Sequence, residues 1–278
     1  MGSFFDKLEA HQSLLCVGLD PNLAQMPEGL PANATGVAQF LRRIIEATAD
    51  LICAYKPNLA FYEALGIPGL EALRSTLDAI PKDVPVIGDA KRGDVGHTAR
   101  AYASALFDYW GFDAVTVNPY LGGDAVAPFL ERADRGVLVL CRTSNPGAGD
   151  LQDLPVVAGG ETRPLYEVVA GLARSWNGRG NVGLVVGSTY PDEMGRLRGL
   201  CPEMTFLVPG VGAQGGDLEA TLRQGLDARG RGLIISASRQ VLYASRGPDF
   251  AEAARREALA LRDEMERLRA AVAGTGRP

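Results

Sequence analysis

With 278 residues, 46% of them hydrophobic, the chain can bury a substantial core, and an α/β barrel of this length commonly forms one domain. A formal net charge of −5 argues against a general nucleic-acid or membrane-surface binder, because those use a basic field or patch; small-molecule chemistry is the class that remains. The four cysteines, Cys16, Cys53, Cys141 and Cys201, are far apart in sequence, with no CxxC or Cys/His metal spacing. They read as buried free thiols in a reducing compartment. The N-terminus lacks a basic region followed by an apolar stretch, and no apolar segment reaches the roughly 18 to 20 residues of a spanning helix. A cytoplasmic location is therefore expected.

In chain order, apolar runs rich in β-branched residues alternate with helix-like segments. The runs are Leu14 to Gly18, Leu51 to Lys56, Val84 to Asp89, Ala114 to Asn118, Gly136 to Cys141, Val182 to Gly187, Thr205 to Pro209 and Leu233 to Ser236. Continuous apolar strands separated by helices imply parallel pairing with both sheet faces covered, and eight βα units in one chain fit a closed (β/α)₈ TIM barrel. A doubly wound open sheet is the structural alternative. From Pro248 the chain reads as a long charged helix ended by "GTGRP", with a short disordered tail. No repeat, low-complexity tract or linker marks a boundary, so residues 1–278 are read as a single domain.

Polar residues gather directly after these runs. Strand one leads into Gly18-Leu19-Asp20-Pro21, strand two into Lys56-Pro57-Asn58, strand three into Asp89-Ala90-Lys91 and strand four into Asn118-Pro119-Tyr120. Strand five precedes "RTSNPGA", strand seven "PGVGAQGGD" and strand eight "SASRQ". In a barrel all of these ends form one rim, where such folds place their sites.

The stretch "VIGDAKRGDVGHTA" is the most telling. Residues two apart on a strand share a face, so Asp89 and Lys91 point together into the barrel mouth, with Asp94 in the following turn. Asp94 also has a plain structural reading, as N-cap of a helix beginning near Val95 with Thr98 one turn on. Asp89 and Lys91 read as working groups more than as a structural pair, because Lys56 ends the neighbouring strand. In such an array each charge holds its neighbours ionised. The glycines of "VPGVGAQGGD", with Gln214, suit close backbone approach to an anion, and phosphate sites in such barrels commonly form after strands seven and eight; Arg239 beyond strand eight reads as a cationic fork to the same phosphate more than as a solvated surface charge. "RTSNPGAGD" offers Ser, Asn and backbone amides to a heterocycle's edge, although an ordinary turn explains it nearly as well. His11 receives no role, and His97 suits a surface or partner contact.

Taken together, "GLDP", "KPNLAFYE", "DAKRGDVGHTA", "TSNPGA", "VPGVGAQGGD" and "SASRQ" resemble orotidine 5′-phosphate decarboxylase in its bacterial branch of longer chains. The resemblance covers nearly the whole chain apart from the terminal helix. It implies a homodimeric (β/α)₈ barrel that converts orotidine 5′-monophosphate to uridine 5′-monophosphate and CO₂ in the last step of UMP biosynthesis, without metal or organic cofactor. It further implies that Lys56, Asp89, Lys91 and Asp94 form a catalytic tetrad, with Asp94 and Thr98 reaching into the partner's site. Asp20 would bind the ribose, Ser144 the pyrimidine, and Gln214 and Arg239 the phosphate, while Pro209 and Val211 line the apolar side of the ring pocket. This chain has Asn145 where many relatives carry histidine.

Two other readings compete. A metal-dependent sugar-phosphate decarboxylase or aldolase on the same barrel shares Asp-x-Lys-x-x-Asp, but those enzymes place an acidic ligand at the end of strand two, where Lys56 would repel a divalent cation. A non-catalytic nucleotide-binding barrel would have no use for Lys91.

Overall fold

The computed structural model describes residues 3–211 and 216–274. Among these described residues there are ten strands: β1 Leu15–Gly18, β2 Ala54–Lys56, β3 Ile87–Arg92, β4 Ala114–Val117, β5 Gly136–Arg142, β6 Pro155–Ala158, β7 Glu161–Pro164, β8 Val182–Val186, β9 Phe206–Pro209 and β10 Leu233–Ala237. Eight of them form one parallel sheet in the order β2-β1-β10-β9-β8-β5-β4-β3. The two ends of that order meet. Tyr55 bridges Val86 and Asn58 bridges Asp89 in parallel, with Tyr55 N donating to Pro85 O at 3.0 Å and Asp89 N to Pro57 O at 3.0 Å. The sheet is a nearly closed TIM barrel, and the open doubly wound alternative is excluded.

Short, β-branched strands buried on both faces explain this arrangement, since helices cover the outside and side chains fill the inside. Cys16, Ala54, Ile87, Ala114, Leu138, Val185, Leu207 and Ile234 pack together within the barrel. Phe4 and Leu8 close its N-terminal end from the helix Phe4–Ala10, which Ser3 caps by accepting from Asp6 N. Outside, Val37, Phe40, Leu41, Ile44 and Ile45 of the helix Ala34–Thr48 are fully buried, an apolar stripe at helical spacing.

Several boundaries differ from the sequence reading. Leu51 ends a 3₁₀ turn, Ala49–Leu51, and β2 begins only at Ala54. The third strand starts at Ile87 and runs on to Arg92, with its pairing to β4 shifting between Gly88 and Arg92. The terminal helix is Phe250–Gly274, two residues later than Pro248 implied, and the expected tail from Thr275 lies outside the described residues. The antiparallel hairpin of β6 and β7 was not foreseen. All four cysteines are free and buried. Among the described residues no helix is long and apolar enough to cross a membrane.

Candidate active site

At the C-terminal rim the strand ends surround a cavity of about 410 Å³, lined by Asp20, Lys56, Asp89, Pro209, Val211 and Arg239 among others. These residues come from β1, β2, β3, β9 and β10 or the turns just beyond them, so the convergence follows from barrel closure alone.

Its chemical centre is a chain of charges. Lys56 Nζ donates to Asp89 Oδ2 at 3.2 Å, and Lys91 Nζ donates to Asp89 Oδ1 at 2.6 Å. The Lys56 and Asp89 side chains are 6% and 9% exposed, whereas that of Lys91 is 48% exposed. Lys56 and Asp89 are therefore fixed in the cavity wall, while Lys91, bonded to Asp89, is half exposed to solvent and is not among the residues that line the cavity. Burial alone would lower the Lys56 pKa, but Asp20 and Asp89 outweigh it and hold the ammonium above its ordinary range. Burial would likewise raise Asp89, yet Lys56 and Lys91, with hydrogen bonds from Lys91 and Thr116, bring its carboxyl down to about 2. Both groups are charged across the neutral range.

Asp89 and Lys91 do meet, although not by simple strand alternation. Lys91 has φ +48°, the one positive value among the described non-glycine residues, and it sits where the β3–β4 register shifts. A non-glycine residue there carries strain of about 1 kcal/mol or more. Thr116 offsets it: its Oγ1 accepts from Lys91 N at 2.9 Å and donates to Asp89 Oδ1 at 2.9 Å, locking the turned backbone to the carboxylate. The sequence reading missed Thr116 because threonine inside an apolar strand is common.

The ribose-side candidate, Asp20, accepts from Ser238 Oγ at 2.7 Å and Asn58 N at 3.2 Å, which fixes both carboxylate oxygens. Ser238 approaches so closely that a Cβ at Gly18 would lie 1.8 Å from its Oγ, so only glycine fits in the "GLDP" turn. Asn58, noted from sequence at the polar end of strand two but given no role, follows Lys56 by two residues and lines the same cavity. Arg239 is exposed at the start of a short helix, Arg239–Leu242, and no ion pair engages it among the described residues. Val211 bridges Gly216 across the seventh loop, and Gln214 lies outside the described residues.

The remaining candidates stand apart from this cavity. Ser144 heads the loop after β5, its backbone packed so tightly on Gly187 that a Cβ there would lie 2.8 Å from the Ser144 Cβ. Asp94 does not cap the helix Gly96–Ser104; Val95 holds the N-cap position, and Asp94 Oδ1 accepts from Val95 N at 2.8 Å. Among the described residues no ion pair joins Asp94 to a lysine of its own chain. Thr98 is half-buried on the first turn of that helix, and His97 is exposed beside it. His11 binds Asp83 O at 2.9 Å through Nε2, far from the rim. Among the described residues no group of three or more His, Cys, Asp or Glu side chains is placed to hold a metal ion.

A family model described as "Orotidine 5'-phosphate decarboxylase / HUMPS family" matches residues 13–256. The chain is 53% identical over 277 residues to an orotidine 5′-phosphate decarboxylase of Thermomicrobium roseum, covering 98% of each chain. It is 54% identical over 275 residues to that of Roseiflexus castenholzii, covering 97% of this chain and 100% of the relative. Among solved structures, Leishmania donovani OMP decarboxylase superposes with a TM-score of 0.84 at 42% identity, over 96% of this chain and 99% of that one.

Proposed function

The chain belongs to the orotidine 5′-phosphate decarboxylase family, whose reaction is the last step of UMP biosynthesis and needs no cofactor, and from that premise we propose how its own residues do the chemistry. The enzyme is a carboxy-lyase that converts orotidine 5′-monophosphate to uridine 5′-monophosphate and CO₂.

Breaking the bond between ring C6 and the carboxylate leaves the electron pair on C6, with no adjacent carbonyl to delocalise it. The site must stabilise that charge electrostatically and then protonate the carbon. Lys91 suits both tasks. It is the half-exposed member of the charge chain, aligned by its bond to Asp89, and in this reading it gives a proton to C6 once CO₂ has left. Asp89, near the departing carboxylate, repels it in the ground state. Lys56 keeps Asp89 ionised from the buried side.

In this reading Asp20 holds the ribose, Pro209 and Val211 form the apolar wall, Ser144 reads the pyrimidine, and Gln214 and Arg239 hold the phosphate. Binding energy from that remote phosphate organises the tetrad, so its contacts affect turnover as well as affinity. A homodimer supplies the fourth charge: Asp94 and Thr98 of each chain enter the partner's site. Exposed apolar side chains support such a contact: Val95 beside Asp94 at 52%, and Tyr120 at 78% and Leu121 at 47% just after Asn118, whose N donates to Arg92 O at 2.8 Å. Residues 1–278 act as one domain, and the four buried free thiols suit a reducing, cytoplasmic setting.

The observation that carries the reading is the Lys56–Asp89–Lys91 chain at the cavity wall. Loss of orotidine 5′-monophosphate absorbance tests it. The wild type is expected to turn over unchanged after prolonged treatment with a strong chelator, while Lys91→Ala loses nearly all turnover yet still binds uridine 5′-monophosphate. Near-normal turnover in Lys91→Ala removes that lysine from the mechanism, and a chelation loss restored by Mg²⁺ favours the sugar-phosphate reading.

A further inference from the structure

At the end of β5 lies a buried charge that the catalytic reading does not use. Arg142 is 2% exposed and is the largest of the fully buried side chains. Its guanidinium is held by the loop that follows it. Nη1 donates to Gln152 Oε1 at 3.4 Å, and Nη2 lies 3.2 Å from Asp153 Oδ1. The guanidinium carbon sits 3.8 Å from the ring centroid of Tyr190 and 5.6 Å from that of Tyr166. Its Nε has no partner among the described residues.

A buried cation with an unbonded donor gains little stability, since an apolar side chain of similar size would fill the space without desolvating a charge. What it provides is geometry. Gln152, fixed from below by Arg142, accepts from Thr143 N at 2.9 Å and donates through Nε2 to Thr143 Oγ1 at 2.7 Å. Thr143 Oγ1 in turn donates to Asn145 Oδ1 at 2.6 Å. These bonds bracket Ser144 on both sides. The Arg142 carbonyl accepts from Gly187 N at 2.7 Å, which ties the same point to the β8 turn on which Ser144 packs. The pairing of β5 with β8 shifts between Leu140 and Arg142, the last residue of the strand.

We propose that Arg142 is a positioning residue for pyrimidine recognition: through Gln152 and Thr143 it sets the loop that presents Ser144, without touching the substrate. The proposal rests on the reading that Ser144 contacts the pyrimidine. A rigid clamp of this kind matters because a recognition group displaced by about 1 Å forfeits much of its interaction.

Calorimetric binding of two ligands tests it: uridine 5′-monophosphate, which carries the ring, and ribose 5-phosphate, which lacks it. Arg142→Met is expected to weaken uridine 5′-monophosphate binding about tenfold, the scale of one lost hydrogen bond, and to leave ribose 5-phosphate binding at the wild-type value. Added to Ser144→Ala, the same substitution is expected to cost nothing further, because the two act through one contact. Gln152→Ala, at a half-buried position, is expected to repeat the pattern and stands in if Arg142→Met does not fold. Equal weakening of both ligands would overturn the proposal in favour of a purely structural arginine. So would Ser144→Ala weakening uridine 5′-monophosphate binding while Arg142→Met and Gln152→Ala leave it unchanged. If Ser144→Ala itself leaves that binding intact, the pyrimidine assignment fails and this proposal falls with it.

Discussion

The two ends of the barrel carry charges of the same kinds to different ends. At the N-terminal end a cavity of about 310 Å³ is lined by Leu8, Cys53 and Ile234, with Glu9 and Arg231 at its edge. Glu9 pairs with Arg229 at 3.1 Å and Arg231 at 3.2 Å, and all three side chains are between 43% and 64% exposed. At the C-terminal end Lys56 and Asp89 pair at 3.2 Å with under a tenth of either side chain exposed. Exposed pairs are screened and contribute little, whereas a buried pair must overcome the loss of hydration and is retained only if its neighbours complete it. The contrast teaches that burial and bonding, more than the number of charges, separate a working cluster from a solvated one.

The largest effect is expected at Asp89. Asp89→Asn removes the carboxylate bonded to buried Lys56 and leaves Asp20 as its remaining carboxylate neighbour, and urea unfolding at pH 7 is expected to show a loss of about 3 kcal/mol. The pH dependence has a definite sign. The folded carboxyl titrates at about 2, below its ordinary 3.8, so its contribution is present above pH 3.8 and is lost as pH falls from there through 2. Between those limits the wild type should lose about 2 kcal/mol that the asparagine variant does not. An unchanged pH 7 stability would place Asp89 in a far wetter setting than its burial indicates.

The smallest effect belongs to the other end. Arg231→Ala, measured by the same unfolding and by turnover, is expected to change stability by no more than about 0.5 kcal/mol and to leave kcat and KM alone. A fall in turnover there would show that the N-terminal end feeds into the site and would erase the distinction.

Much of this was legible in the sequence because parallel barrels write themselves as apolar runs followed by polar ends. All eight barrel strands appear where such runs lie, and Lys56, Asp89 and Lys91 stand out because charge directly behind an apolar run has few bland explanations. What stayed hidden has physical reasons. Leu51 to Cys53 is as apolar as a strand, yet Ala49–Leu51 turns as a 3₁₀ segment, a distinction hydropathy does not carry. The hairpin at residues 155–164 is short and bounded by prolines; its one signal was Gly159-Gly160, which takes φ +62° and +84° in the turn. The backbone of Lys91 and the clamp of Arg142 depend on register shifts in β3 and β5, and register is a property of neighbours that no single strand's residues reveal.

Whether a second copy of the chain completes the charge cluster at the C-terminal rim, as proposed, is decided by subunit mixing. Lys91→Ala and Asp94→Ala homodimers should each be nearly inactive. In a heterodimer of the two, a crossed arrangement places both lesions in one site and none in the other, as two-fold symmetry requires. Each heterodimer should then regain about half the activity of a wild-type dimer. Verified heterodimers that stay as inactive as their parents would contradict the account and confine Asp94 to its own chain.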